Sequence, residues 1–129
     1  VTQTQRFPGA LEAAAQAEAW AAGEAERRAL GRDAAFALTL CVEELFVNAV
    51  THGRAREIRL TLTDDGLEFR DDGAAFDPTA VAPKRLTADE DFEIGGFGVG
   101  LLQKFSQSLG YAREAGWNVV TLALPRDGR

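Results

Sequence analysis

The chain has 129 residues, 46% of them apolar and 26% charged, and a formal net charge of −6. That length suits one domain around one core. There is no run of about 18 apolar residues to span a membrane, and Lys and Arg scattered over an acidic chain argue against a general nucleic-acid binder.

The opening VTQTQRF is polar and lacks the apolar segment of a signal peptide. Residues 1–7 alternate loosely and are expected to form an edge strand. The chain contains no Met, as expected of a domain taken from a longer protein. Residues 8–30 are rich in Ala and Glu and are predicted helical on propensity, with Gly31 as the stop. Asp33 then caps a second helix over 34–51, whose apolar coverage comes from Phe36, Leu40, Leu45, Phe46, Val47 and Val50. Cys41, the only cysteine, lies in that helix. It can form no intrachain disulfide and fits a reducing, cytoplasmic setting. EIRLTLT alternates strictly, DDG at 64–66 reads as a hairpin turn, and LEFRD alternates again. Residues 74–94 carry two prolines and many charges, which suits a lid over a site. GGFGVG then opens a helix near Leu101, and a hairpin closes the chain. The order predicts an α+β fold: a two-layer α/β sandwich with a mixed, mostly antiparallel sheet and helices on one face. Residues 1–129 read as a single domain.

Three segments carry polar groups that a core would not want. In EELFVNAVTHG, Glu44 and Asn48 stand one turn apart on one helical face, with Glu43 about 100° away. They form either a solvated stripe or a pair that faces a ligand. In LEFRDDG, period two puts Asp71 on the side of Leu67 and Phe69, pointing inward at the strand end, and turns Asp72 away. Gly73 permits a sharp turn or close backbone approach. A plain Asp/Gly turn is the alternative. Gly95, Gly96, Gly98 and Gly100 precede a helix, where free N–H groups can bind an anion; a hinge or close helix packing would also use them. No Gly-Lys-Ser/Thr follows, so this is not a Walker loop.

In this order and spacing the segments resemble the N, G1 and G2 boxes of the Bergerat-fold (GHKL) ATPase superfamily. The chain is most similar to its anti-sigma-factor serine/threonine kinases, through E-x-x-x-N-A-x-x-H at 44–52 and D-x-G-x-x-F-D-P at 71–78. The resemblance implies an ATP site with Mg²⁺ on the Asn48 oxygen and Glu44 as general base. It implies Asp71 as acceptor for the adenine amino group, and Gly73 with the four G2 glycines around the nucleotide. It also implies phosphorylation of a STAS-domain anti-anti-sigma protein, sequestration of a sigma factor, and a homodimer to which the Ala-rich first helix can contribute. The alternative is a nucleotide-gated binding module of a larger signalling protein. A histidine-kinase catalytic domain fits less well, because no helix pair with a phosphoacceptor His is present and His52 reads as a helix-end residue. The chain departs from the family at two places. Ala75 stands where many members have a second G1 glycine, and Ile94 stands where some of these kinases place an Arg on the γ-phosphate. Lys84, Arg85 and Lys104 are the candidates to replace that Arg.

Overall fold

The structure, a computed structural model, describes residues 2–78 and 108–123. The expectations for residues 79–94 of the lid, for Lys84, Arg85, Ile94 and Lys104, for the glycine cluster at 95–100 and for the helix near Leu101 lie outside the described residues. The elements are β1 (Gln3–Pro8), a 3₁₀ turn (Leu11–Ala13), α1 (Ala14–Arg27), α2 (Arg32–Thr51), β2 (Glu57–Leu62), β3 (Gly66–Asp71), β4 (Ser108–Glu114) and β5 (Trp117–Ala123). The sheet order is β1-β2-β3-β5-β4, so β1 is an edge strand as the sequence suggests. Every pairing among the described strands is antiparallel, in line with the mostly antiparallel sheet expected. β2–β3 and β4–β5 are hairpins, and the chain passes from β3 to β4 by crossing over β5, so β3 and β4 run in the same direction on either side of it.

Alternation sorts the strands into two faces. Ile58, Leu60, Leu62, Leu67, Phe69, Val120 and Leu122 point to the helices and are buried. Register lines them up in rows: Leu60 faces Phe69, which faces Val120, and Leu62 faces Leu67, which faces Leu122. The opposite face carries paired charges, with Arg59 beside Glu57, Arg70 beside Glu68, and Arg59 also lying 4.6 Å over the Trp117 ring. Phe46 of α2 fills the core centre, edge-on to Phe7 at 6.2 Å. Truncating such a ring costs about 3–5 kcal/mol.

α2 is 20 residues long, with a mean hydropathy of 1.5 over an 18-residue window, enough on length and composition to cross a membrane. Its apolar side is the core: Leu38, Val42, Leu45 and Phe46 are buried between the sheet and α1. α1 contributes Ala17, Ala21 and Ala25, each almost fully buried, at the spacing of one helical face. Its alanine face therefore packs inside the chain, which removes those residues from any dimer surface.

Helix ends differ from the sequence reading. Propensity favours helix from residue 8, but Pro8 ends β1, a 3₁₀ turn begins only at Leu11 and α1 only at Ala14. α1 is stopped by Ala29, not Gly31: Ala29 has φ 53, and the bonds Leu30 N–H to Ala25 O and Ala29 N–H to Glu26 O close a Schellman motif. Gly31 instead precedes α2 as its N-cap, and Asp33 lies in the first turn. Buried Glu24 is held by Arg27 and Arg28, and Arg28 reaches Asp64 at 2.8 Å and the Leu62 carbonyl at 3.1 Å. This ties the end of α1 to the β2–β3 hairpin. The β4–β5 turn uses Ala115 (φ 50) and Gly116 (φ 87), the two positive φ values of a type I′ hairpin.

Candidate functional site

The site forms where the core rows run out. One row of the sheet reads Phe7, Ile58, Asp71, Asn118, Arg113 from strand to strand. Its first two residues are apolar and its last three polar. Above it lie the last turns of α2, which carry Glu44 and Asn48. The two elements are clamped by backbone: Ala74 N–H donates to Gly53 O at 2.9 Å. A Cβ on Gly73 would sit 2.6 Å from that same Gly53 oxygen. The close approach anticipated at Gly73 is thus to the chain's own helix end. Asp72, turned away as expected, caps the start of β2 by accepting from the Arg56 and Glu57 N–H groups at 2.7 and 3.0 Å.

A pocket opens between these elements, lined by Leu45, Asn48 and Ala49 of α2, Phe69 and Asp71 of β3, Ala74, Phe76 and Pro78 after β3, and Asn118 and Val120 of β5. The structure thus brings Asn48 and Asp71 into one cavity. Asn48 is 4% exposed, and neither its Oδ1 nor its Nδ2 has a partner among the described residues. Such an orphaned amide costs roughly 1–3 kcal/mol per group left unpaired, so a ligand that pairs with it would recover that cost. An amide oxygen is a hard donor of the kind Mg²⁺ takes singly alongside phosphates and waters. No cluster of three or more His, Cys, Asp or Glu fit to hold a metal is present among the described residues, so a closed all-protein cage is not offered there.

Asp71 is 6% exposed. Its Oδ1 accepts from Gly73 N–H at 2.9 Å and from Asn118 Nδ2 at 3.0 Å. Both bonds fall on one oxygen and leave Oδ2 for a ligand. Burial pushes the Asp71 carboxyl above the usual carboxylate range, while the bonds from Asn118 and Gly73 oppose that rise. Glu44 is half-buried, and its carboxyl is also raised, first by burial and then by the charge of neighbouring Glu43. Glu43 itself is exposed. Burial, with a smaller push from Glu44, raises the Cys41 thiol to about 12, so it is an inert core group. His52 is exposed, at the C-cap of α2, and its N–H donates to the Asn48 carbonyl.

Three residues, Asn118, Tyr111 and Arg113, escaped the sequence reading. Asn118 is 2% exposed and bonds to Asp71, to Ala74 O at 2.8 Å, to Phe76 N–H at 3.2 Å and to the Tyr111 hydroxyl at 2.6 Å. Arg113 donates to Gly73 O at 2.8 Å. The signal for Asn118 was its place in WNVVTL, on the face of Val120 and Leu122, where a polar group breaks the alternation.

The histidine kinase-like ATPase domain family matches residues 7–124 of the chain. The chain belongs to that family. The match runs from the last part of β1 through β5, so it includes the residues of the pocket. A family of this kind implies ATP binding. A relative, the serine/threonine-protein kinase BtrW of Bordetella bronchiseptica, is 40% identical over 96 residues, which cover 67% of this chain and 68% of that one. The resemblance drawn from the three motifs and the two-layer architecture both agree with this family ATPase fold, and kinship to a named kinase supports a kinase.

Proposed function

We propose that the chain is a cytoplasmic ATP-dependent serine/threonine protein kinase of the anti-sigma type. Its substrate is a Ser or Thr on a STAS-type anti-anti-sigma protein, and its second partner is a sigma factor, held when the antagonist is phosphorylated. The observation that carries the reading is the buried Asn48 amide, without a partner among the described residues, which shares a pocket with an Asp71 carboxylate whose two bonds among those residues both fall on Oδ1. The printed name of the relative, a serine/threonine-protein kinase, supports transfer to a hydroxyl.

In this reading the adenine amino group donates to Asp71 Oδ2, and the apolar lining from Ala49, Phe76 and Val120 accepts the base. Asn48 Oδ1 would hold Mg²⁺, which when bound neutralises phosphate charge. Gly73 shapes the loop beneath the base, and Gly95, Gly96, Gly98 and Gly100 supply N–H groups to the phosphates. Glu44, one turn from Asn48, takes the proton of the attacking hydroxyl. Its raised pKa makes it the stronger base. The hydroxyl oxygen bonds to the γ-phosphorus, the bond from that phosphorus to the β–γ bridging oxygen breaks, and ADP leaves.

The test is incubation with γ-labelled ATP, Mg²⁺ and a STAS-domain antagonist, followed by phosphoamino-acid analysis. Label on Ser or Thr is the expected result. Tight ADP binding without transfer to the antagonist would replace the kinase by the nucleotide-gated binding module.

A further inference from the structure

We infer that Asn118 is a positioning residue that sets selectivity for adenine by fixing which oxygen of Asp71 faces the pocket. The inference rests on the reading of Asp71 as the adenine acceptor.

The side chain of Asn118 has two N–H donors and one oxygen able to accept twice. All four are engaged. Nδ2 donates to Asp71 Oδ1 at 3.0 Å and to Ala74 O at 2.8 Å, and Oδ1 accepts from the Tyr111 hydroxyl at 2.6 Å and the Phe76 N–H at 3.2 Å. Nothing remains for a ligand, so Asn118 acts only through its neighbours. A flipped amide would set its oxygen against two acceptors, Asp71 Oδ1 and Ala74 O, and its NH₂ against the Phe76 N–H. The orientation is therefore determined.

Asp71 and Asn118 are directly opposite in the β3–β5 register, so the Asn118 bond reaches Asp71 from the neighbouring strand while the Gly73 bond reaches it from its own loop. Two donors from different directions on Oδ1 fix the rotation of the carboxylate and leave Oδ2 as its ligand-facing acceptor. Without Asn118 the carboxylate keeps one anchor, Gly73 N–H, and can rotate. The same amide also holds Ala74 and Phe76, which line the pocket.

The test compares ADP with purine riboside diphosphate, which carries hydrogen in place of the 6-amino group, by calorimetry. In the parent protein the amino-to-carboxylate bond should favour ADP by roughly 10- to 100-fold. Asn118→Ala should lower that ratio by about tenfold. A purely structural role would weaken both ligands alike, so an unchanged ratio in Asn118→Ala overturns the inference. Tyr111→Phe removes only the hydroxyl that helps to orient the amide, and its ratio should fall by about 2- to 5-fold. If Asn118→Ala does not fold, Tyr111→Phe decides, and an unchanged ratio there overturns the chain from Tyr111 to Asp71. Equal binding of both ligands by the parent protein would overturn the reading of Asp71, and this inference with it.

Discussion

Asp71→Asn separates what the site does for a ligand from what it does for the fold. The amide oxygen of the new side chain has two places to go. In the Oδ1 place it keeps both existing bonds, from Gly73 N–H and Asn118 Nδ2 at 2.9 and 3.0 Å. In the Oδ2 place it abandons both and sets NH₂ against two donors, at about 1–3 kcal/mol for each group left unpaired. The first orientation wins, and it aims NH₂ at the adenine amino group, donor against donor. At least one charge-assisted bond is lost, worth about 1.5–3 kcal/mol, so the Kd for ADP should rise roughly 10- to 150-fold. Stability should move the other way. Burial raises the Asp71 carboxyl in the folded state above its ordinary value of 3.8. Its favourable contribution is thus complete below the unfolded pKa and lost as pH rises through the folded one. At pH 7, above the unfolded pKa, burial of this carboxyl opposes folding, and a neutral amide removes that opposition. Calorimetry with ADP and a thermal melt of the free protein, both at pH 7, read the two effects. ADP affinity within twofold of the parent would refute the adenine role. A large fall in Tm would refute the assigned balance of burial against hydrogen bonds.

Further outcomes follow from the same geometry. Glu44→Gln should leave ADP affinity nearly unchanged and slow phosphorylation of the antagonist by about 10²–10⁴-fold; wild-type transfer by this variant excludes Glu44 as the base. Glu43→Gln should cost far less rate, but removal of the charge that raises Glu44 should shift the acid limb of the pH–rate profile to lower pH. A limb that stays put shows that the two carboxylates do not interact. Asn48→Leu replaces a buried amide without partners by an apolar side chain of similar size, so the free protein should gain about 1 kcal/mol or more in a urea titration, while Mg²⁺-dependent nucleotide affinity disappears. A destabilised variant that still binds would reverse both assignments. Gly73→Ala forces a Cβ to 2.6 Å from the Gly53 oxygen and should destabilise by about 1–3 kcal/mol; an unperturbed melt would mean that the loop is not clamped to the helix as described.

Periodicity made the fold legible. Period two in EIRLTL and GLEFRD selects the face of Ile58, Leu60, Leu62, Leu67 and Phe69, and every one of these is buried. The same rule carried Asp71 inward, and helical spacing put Asn48 on a face with Glu44, so the two polar groups that α2 and β3 bring to the pocket could be placed before any coordinates, whereas Glu44 does not line it. What escaped depends on partners distant in sequence. Asn118 gains its meaning only once β5 lies beside β3 and sets it opposite Asp71. The stop of α1 at Ala29 escaped because a left-handed alanine goes against intrinsic preference, and the closure of the Schellman bonds accompanies it. The late start of α1 has the same character: Gly9 N–H pairs with Arg56 O, a contact that local propensity cannot register. Pairing of β1 with β2 and of β4 with β5 across the rest of the sheet made it wholly antiparallel among the described strands, which element order alone did not decide.

In the proposed function, one pocket between α2 and β3 receives the nucleotide, with the base at Asp71 and the phosphates toward Asn48. A crystal structure of the protein with ADP and Mg²⁺ tests it most directly. The account predicts the adenine amino group within about 3 Å of Asp71 Oδ2, with Asn118 still bonded to Oδ1, and Asn48 Oδ1 in contact with the metal at about 2.1 Å. Nucleotide bound elsewhere, with Asn48 still unpartnered and Oδ2 still free, would contradict it.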